Sequence, residues 1–361
     1  MKKSNPNHEI KIENKLISIN EPTYFIADIA ANHDGNLNQA KDLIYLAAES
    51  GAQAAKFQHF KANTIVSDKG FKDLGSKSSH QADWSKSVFE IYNDASINLE
   101  WTNCLKETCK DAGISFFTSP YSLELVDYID QYVPAYKIGS GDITWTEIIE
   151  YIAKKNKPYI IATGASTYDE VIKAINIGLK YNQNLALLQC NTNYTGSKDN
   201  FKYINLNVLK TFKNIYPSMI LGLSDHTPGH ATVLGAIALG ARIIEKHFTD
   251  NCEREGPDHK FSMTPKTWKE MVNRSRELEI SLGSGIKEIE KNELETVVLQ
   301  RRSLRLKNDL KKGTILKREN IEALRPCPSN AINPNSLNEV IGKKLLYDLN
   351  KGEYLQWKDL I

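Results

Sequence analysis

Between residues 24 and 248 one pattern of hydrophobic and polar positions recurs. A short apolar run gives way to polar or glycine residues, then to an amphipathic stretch, then to another apolar run. The runs are Tyr24–Ala30, Ala54–Phe60, Ser115–Pro120, Ala135–Ser140, Tyr159–Gly164, Leu185–Asn191, Ile220–Asp225 and Ala241–Phe248. Their apolar residues are consecutive rather than alternating, which marks strands covered on both faces and hence a parallel sheet. In 37–51, Leu37, Ala40, Ile44, Ala47, Ala48 and Gly51 fall on one helical face. Ser122–Gln131, Trp145–Lys155, Tyr168–Tyr181, Asn207–Asn214 and Pro228–Leu239 read as shorter helices. Thr167 is the expected N-cap of one of them, with Glu170 completing a capping box. Eight strand–helix units predict an α/β chain built as a (β/α)8 TIM barrel. An open doubly wound sheet is the structural alternative. No Gly-x-Gly-x-x-Gly follows the first run, which counts against a dinucleotide site.

Residues 265–282 are expected to close the barrel, giving a first domain over 1–282. A charged linker with Gly-Ser-Gly at its head fills 283–300. Residues 301–361 change character and carry a weak repeat. Asp309-Leu-Lys-Lys-Gly-Thr-Ile-Leu316 resembles Asp348-Leu-Asn-Lys-Gly-Glu-Tyr-Leu355, 39 residues on. Two such strand–turn pieces predict a small, pseudo-symmetric β-rich domain. Residues 61–100, before the third run, read as a polar loop ending in a helix.

Composition narrows the function classes. Lys+Arg 46 against Asp+Glu 44 leaves +2, too little for a nucleic-acid binder with a broad basic face. The longest clean apolar run, Ala231–Ala241, is too short to span a bilayer and reads as a buried helix. Cys104, Cys109, Cys190, Cys252 and Cys327 form neither Cys-x-x-Cys nor a zinc spacing. They are expected to be reduced thiols of a cytoplasmic protein. The first residues, basic but followed by no apolar segment, do not read as a secretory signal.

In a barrel, chemistry belongs at the carboxyl ends of the strands. Taken in order, those ends supply Asp28 and Asn32-His33-Asp34-Gly35; Lys56, Gln58 and His59; Thr118-Ser119-Pro120; Lys137 and Gly139-Ser140-Gly141-Asp142; Thr163-Gly164; Asn191-Thr192-Asn193-Tyr194; Ser224-Asp225-His226; and Glu245-Lys246-His247. Lys56 and Lys137 facing one cavity with hydroxyls and glycine backbone suit a ligand bearing phosphate and carboxylate. His226 and His247, on adjacent strand ends, place two imidazoles within reach of one divalent metal. Each feature also admits a plainer reading. The lysines can be structural ion-pair partners, the histidines packing residues, and Asn-His-Asp-Gly a turn. Asp28 can be a general acid or base, or a partner for a lysine.

Together these residues resemble the sialic acid synthase family: bacterial N-acetylneuraminate, legionaminate and pseudaminate synthases. The resemblance rests on Phe25-Ile-Ala-Asp-Ile-Ala-Ala-Asn-His-Asp-Gly35, Gly51-Ala-Gln-Ala-Ala-Lys-Phe-Gln58, Ala135-Tyr-Lys-Ile-Gly-Ser-Gly141, Gly222-Leu-Ser-Asp-His-Thr227, Glu245-Lys-His-Phe-Thr249 and Gly256-Pro-Asp258. Residues 304–326 and 342–360 resemble that family's antifreeze-like (β-clip) domain. The resemblance implies condensation of phosphoenolpyruvate with an open-chain N-acetylated hexose, giving a nine-carbon 2-keto acid and phosphate. The acceptor would be N-acetylmannosamine or a 2,4-diacetamido hexose. It implies that Lys56, Ser119, Lys137, Ser140 and Ser224 hold phosphoenolpyruvate. It implies that His226 and His247 bind Mn2+, or Mg2+ or Co2+ in its place. It implies that Gln58, Tyr194 and Asp258 position the sugar, and that Arg325 reaches its N-acetyl group from the partner subunit of a domain-swapped homodimer. The chain departs from the family pattern at Asp28 and Asp142, where Glu is usual, and at Ala162 and Thr192, where Ser and Asn are common. Asp28 would manage a water or a proton, Asp142 would meet sugar hydroxyls, and Thr192 would adjoin phosphoenolpyruvate. Two other functions fit the same barrel: a condensing enzyme for a phosphorylated sugar, and a non-catalytic carbohydrate-binding relative.

Overall fold

The computed structural model describes residues 5–75, 81, 82 and 84–361. The chain divides into two compact units, Met1–Gly283 and Ser284–Ile361. No helix among the described residues is long and apolar enough to cross a membrane.

A hairpin missing from the sequence reading opens the first unit: β1 (Glu9–Ile12) pairs antiparallel with β2 (Lys15–Ser18). The eight expected strands follow as β3 (Tyr24–Asp28), β4 (Ala54–His59), β5 (Ser115–Pro120), β6 (Tyr136–Ile138), β7 (Tyr159–Ala162), β8 (Leu185–Cys190), β9 (Ile220–Asp225) and β10 (Ile243–His247). They form one parallel sheet in the order β5-β4-β3-β10-β9-β8-β7-β6. Only the β5–β6 seam lacks a hydrogen-bonded ladder, so the sheet is a nearly closed TIM-like barrel and not an open doubly wound one.

Side-chain parity places each residue on a face. Phe25, Ala27, Ala55, Phe57, Leu221, Leu223 and Ile244 point outward and pack with the helices in one core. Tyr24, Ile26, Ala54, Phe117, Ile160, Leu188, Ile220 and Ile243 point inward and fill the barrel, where Ile10, Ile12 and Ile17 of the hairpin plug it. The helices Leu37–Glu49, Leu123–Ile129, Thr146–Ala153, Tyr168–Gly178, Val208–Ile215, Ala231–Ala238 and Pro265–Ser281 lie where the periodicity puts them. Thr167 caps the fourth of these, its hydroxyl accepting from the Glu170 amide while the Glu170 carboxylate accepts from the Thr167 amide at 2.7 Å. The polar stretch after β4 is more helical than expected, with Ala62–Ile65, Asp68–Asp73 and Val88–Ala95 all helical. Its residues 76–80 and 83 lie outside the described residues.

In the second unit the repeat pairs with itself. Leu310 and Leu349 exchange backbone hydrogen bonds. The Asp309 carboxylate accepts from the Lys351 amide at 2.7 Å, and the Asp348 carboxylate accepts from the Lys312 amide at 2.8 Å. Gly313 and Gly352 both take φ near +85° (+85° and +84°), a conformation only glycine adopts cheaply. β11 (Ser303–Leu306) pairs with β12 (Ile321–Leu324), and Leu304, Leu306, Leu316, Ile321 and Leu355 share a separate core. Short helical turns also occupy Lys291–Glu293 and Leu294–Gln300, within the stretch expected to be a linker.

Candidate active site

Parity aims Asp28 of β3, Lys56 and Gln58 of β4, Ser119 of β5, Lys137 of β6, Ala162 of β7, Cys190 of β8, Ser224 of β9 and Glu245 and His247 of β10 into the barrel. In register, Asp28 lies between Lys56 and His247, Gln58 beside Ser119, and Ser224 between Cys190 and Glu245. The barrel closes these into a buried chain of charges. Lys56 Nζ sits 2.6 Å from Asp28 Oδ2 and 3.9 Å from Glu245 Oε2, and Lys137 Nζ sits 3.1 Å from Glu245 Oε1. Ser224 Oγ donates to the same Glu245 oxygen at 3.0 Å. Both lysines therefore have carboxylate partners, as the plainer reading expects. That reading leaves unexplained four buried atoms around them with no hydrogen-bond partner: Asp28 Oδ1, Glu245 Oε2, Ser119 Oγ and His247 Nδ1. Leaving a buried polar atom unmade costs ~1–3 kcal/mol, and a cluster of them marks where a polar ligand completes the set.

The electrostatics follow from burial. Desolvation, reinforced by Glu245, pushes the Asp28 carboxyl up against the pull of Lys56. Desolvation also works against charge on Glu245, but Lys137 and Lys56 outweigh it and hold that carboxyl below its ordinary value. Lys56 is likewise held up by Asp28 and Glu245 against burial. Burial and the cations around it push the His247 imidazole well below its usual value, so this ring is neutral.

The two imidazoles face each other at the rim, with ring centroids 5.4 Å apart. His226 Nδ1 is 3.0 Å from the Asn191 carbonyl, which assigns that nitrogen as donor; against burial, Cys190 and the Asn191 carbonyl raise this imidazole. His247 has Asp28 Oδ2 3.5 Å from Nε2 and an unpartnered Nδ1. Tyr194 packs edge-on against His226 at 4.5 Å, and Phe261 against His247 at 4.8 Å. Among the described residues no third His, Cys, Asp or Glu joins them as a preformed metal cluster. Two oriented imidazoles, one with a free buried nitrogen, fit a cation held in an open site whose other positions go to water or substrate.

On the opposite wall Ser140 Oγ accepts from the Gly164 amide at 2.9 Å. A Cβ on Gly164 would come within 1.7 Å of Thr192 Oγ1 and 2.8 Å of Ser140 Oγ, so glycine is required for these hydroxyls to converge. Asp142 follows Ser140 in the same turn, and burial raises its carboxyl to about 6 despite Lys137. Asp258 accepts from the Ala31 amide at 3.1 Å and is also raised to about 6, chiefly by burial. Beside Tyr194 and Phe261 opens a cavity of about 940 Å³, also lined by Asp34, Trp84 and Arg254. The segment after β4 thus contributes a wall.

Not every expected residue joins this group. Arg325 belongs to the second unit, where its Nε donates to the Gln300 carbonyl at 2.6 Å. His59 points outward, between Thr118 and Thr102 hydroxyls. Asn32-His33-Asp34-Gly35 is a turn, with Asp34 and Gly35 at φ +51° and +67°. Sequence reasoning assigned no role to Glu245 or Phe261. Glu245 shares parity with His247 two residues on, which was a usable signal; Phe261 ends the short 3-10 turn His259–Phe261, outside any strand–helix repeat, and had none.

Comparison with known proteins agrees with this architecture. Residues 43–287 match the NeuB family and residues 301–361 the SAF domain. The chain is 36% identical over 325 residues to the N,N'-diacetyllegionaminic acid synthase of Campylobacter jejuni, covering 89% of this chain and 95% of that one. It is 36% identical over 343 residues to the protein of the same name from Legionella pneumophila, covering 93% and 94%. The crystal structure of the N-acetylneuraminic acid (sialic acid) synthetase of Leptospira borgpetersenii superposes with a TM-score of 0.70 at 28% identity, covering 81% of this chain and 96% of that one.

Proposed function

The chain belongs to the NeuB family, and we propose that it condenses phosphoenolpyruvate with an unphosphorylated, open-chain 2,4-diacetamido hexose. The products are a nine-carbon 2-keto acid and inorganic phosphate. The observation that carries the reading is the pair of buried ammonium groups, Lys56 and Lys137, set among unpartnered oxygens beneath two facing imidazoles. The choice of acceptor rests on the similarity to the two diacetyllegionaminic acid synthases.

In this reading Lys56, Lys137, Ser119, Ser140, Thr192 and Ser224 bind the phosphate and carboxylate of phosphoenolpyruvate. They hold its methylene carbon against the acceptor aldehyde, the positioning that makes a bimolecular step effectively unimolecular. Gln58, Asp142, Tyr194 and Asp258 orient the sugar. His226 and His247 hold a divalent cation, Mn2+ by preference, which supplies Lewis acidity to the aldehyde oxygen when bound. The methylene carbon of phosphoenolpyruvate forms the new bond to the aldehyde carbon as the C=O π pair passes to the aldehyde oxygen, which takes up a proton to become a hydroxyl. Water then adds to the cationic C2, losing a proton, and the tetrahedral centre collapses to the keto group by breaking the C2–O bond to phosphate, its hydroxyl proton leaving with the phosphate. Asp28, with Oδ1 unpartnered and its carboxyl raised by burial, is the group suited to take that proton.

The decisive assay is phosphate release from phosphoenolpyruvate with a 2,4-diacetamido-trideoxyhexose, N-acetylmannosamine or its 6-phosphate, each with Mn2+ and with chelator. Mn2+-dependent release with the diacetamido sugar is expected. Release only with the 6-phosphate overturns the acceptor class, and tight sugar binding without any turnover overturns the enzyme reading.

The SAF unit is proposed to extend Arg325 to the acceptor's N-acetyl group across a homodimer. Arg325→Ala should then raise the acceptor KM about 10-fold or more and leave the KM for phosphoenolpyruvate within about twofold, in line with the ~1.5–3 kcal/mol of a charged hydrogen bond. Co-expressing Arg325→Ala with His226→Ala protomers should restore activity in the mixed dimer; no recovery argues that the arm serves its own barrel.

Acceptor use should depend on pH through Asp142 and Asp258, both near 6. Ionised, they accept hydrogen bonds from sugar hydroxyls; protonated, they lose half that capacity. Acceptor kcat/KM should therefore rise through about pH 6, and Asp142→Asn and Asp258→Asn should flatten the rise. Stability runs the other way. Both carboxyls are raised on folding, so their stabilising contribution is complete below the ordinary Asp value and is lost as pH climbs through about 6.

A further inference from the structure

Behind the two imidazoles, on the outward face of the sheet, the apolar pattern breaks. Outward positions of β9 read Leu221, Leu223, Asp225, and those of β10 read Ile244, Lys246; the leucines and Ile244 pack into the helix-side core. Asp225 and Lys246 are partners in register, and their side chains are 0% and 1% exposed. Each directly precedes one of the imidazole residues, His226 and His247.

This pair also holds Thr227, which follows His226, and Thr232. Lys246 Nζ donates to Asp225 Oδ2 and, at 2.6 Å, to the Thr227 carbonyl. The Asp225 carboxylate also accepts from the Thr227 amide at 3.2 Å and from the Thr227 hydroxyl at 3.0 and 2.9 Å. It accepts from the Thr232 hydroxyl at 2.7 Å, and Thr232 lies in the helix Ala231–Ala238. The backbone on both sides of His226 is thus held by one carboxylate, and that carboxylate is held by the residue before His247. A buried ion pair is a poor source of net stability, because desolvation offsets the Coulomb attraction and apolar replacements often match it. Its use as a device that fixes geometry is better attested.

We infer that Asp225 and Lys246 are positioning residues that set the relative placement of His226 and His247 for a shared divalent cation. The inference rests on the proposal that these two imidazoles hold the metal. Neither group touches the substrate cavity, so both act through the backbone of the neighbouring histidines. A pair that only stabilised the barrel would affect melting and leave cation affinity alone.

The test uses full-length protein and Mn2+ alone, with free Mn2+ followed by electron paramagnetic resonance. Asp225→Leu combined with Lys246→Met replaces the pair by apolar side chains and leaves no unpaired charge. This double variant should melt within a few degrees of wild type and bind phosphoenolpyruvate, without metal, within about twofold of it. Its Mn2+ affinity should fall by on the order of 10-fold, the scale seen when residues supporting metal ligands are lost. Undiminished Mn2+ affinity in the folded double variant overturns the inference. Should that variant not fold, Thr232→Val decides, because it removes one donor to Asp225 and no charge. Weaker Mn2+ binding in it supports the inference and unchanged binding overturns it. Wild-type protein that binds no Mn2+ removes the metal reading itself, and the inference with it.

Discussion

Replacing His226 by alanine should lower kcat/KM for phosphate release about 1,000-fold and leave the barrel folded. The ring is 5% exposed but is anchored only by hydrogen bonds to the Asn191 carbonyl and the Cys190 sulfur and by edge contacts to Tyr194 and Phe261. Removing it opens a small polar gap at the rim, above the packed interior formed by Ile160, Leu188, Ile220 and Ile243. Destabilisation should therefore stay within the ~0.5–3 kcal/mol typical of point variants. Activity is another matter. One of two imidazoles is lost, and charge stabilisation at the aldehyde oxygen is worth several kcal/mol; about 4 kcal/mol corresponds to the 1,000-fold. Phosphate release and a thermal melt on the same sample check both halves. A variant that unfolds, or one that keeps full activity with chelator, supports the packing reading of this histidine instead.

The second large effect is expected at Lys137. Lys137→Met should weaken phosphoenolpyruvate binding about 100-fold, since removing one member of a buried charge contact costs ~2–5 kcal/mol. It should also lower stability by roughly 3–5 kcal/mol, because Glu245 is left buried with only Lys56, 3.9 Å away, as a cationic neighbour. The two consequences separate in a double variant. Adding Glu245→Gln removes the stranded charge, so the melting temperature should recover while phosphoenolpyruvate affinity, measured by calorimetry, stays low. If affinity recovers along with stability, Lys137 serves the fold and not the ligand. The structural and the ligand-binding readings of this lysine are thereby made to predict different numbers.

The double role proposed for Lys137 has a physical origin. A trianionic ligand needs cations, yet two bare ammonium groups cannot stay charged in a dry barrel before the ligand arrives. Glu245 lies between Lys56 and Lys137, and Asp28 accompanies Lys56. Asp28 and Glu245 hold the Lys56 ammonium up against burial, and both carboxylates keep an unpartnered oxygen beside the lysines. Under the proposed function, the plain ion-pair reading and the ligand-site reading of these lysines are two states of one arrangement.

Much of this was legible along the chain. Consecutive apolar residues locate every barrel strand, because a strand covered on both faces must be apolar on both. The positions of Lys56 and Lys137 within strands, of Asp28, His226 and His247 at strand ends, and of the capping pair Thr167 and Glu170 are local properties that neighbouring residues decide. The reciprocal pairing of Asp309 with Lys351 and of Asp348 with Lys312 was latent in the repeat. The hairpin Glu9–Ser18 was not, because Ile10 and Ile12 alternate with charged residues, unlike the consecutive apolar runs that marked the barrel strands.

Tertiary structure decided who meets whom. Glu245 and Lys137 are 108 positions apart (245 minus 137), and only closure of the sheet through five successive strands, β10 to β6, brings them within 3.1 Å. Register decided the faces. A shift of one residue would turn Glu245 and His247 outward and bring Lys246 in, since side chains alternate with a period of two. Phe261 reached the imidazoles on a single 3-10 turn, His259–Phe261, too short for periodicity to encode its path. The sequence by itself determined the elements and the chemistry available at their ends. Which of those groups face one another, and which stand behind the site as Asp225 and Lys246 do, depended on barrel closure and register, which are relations between distant segments.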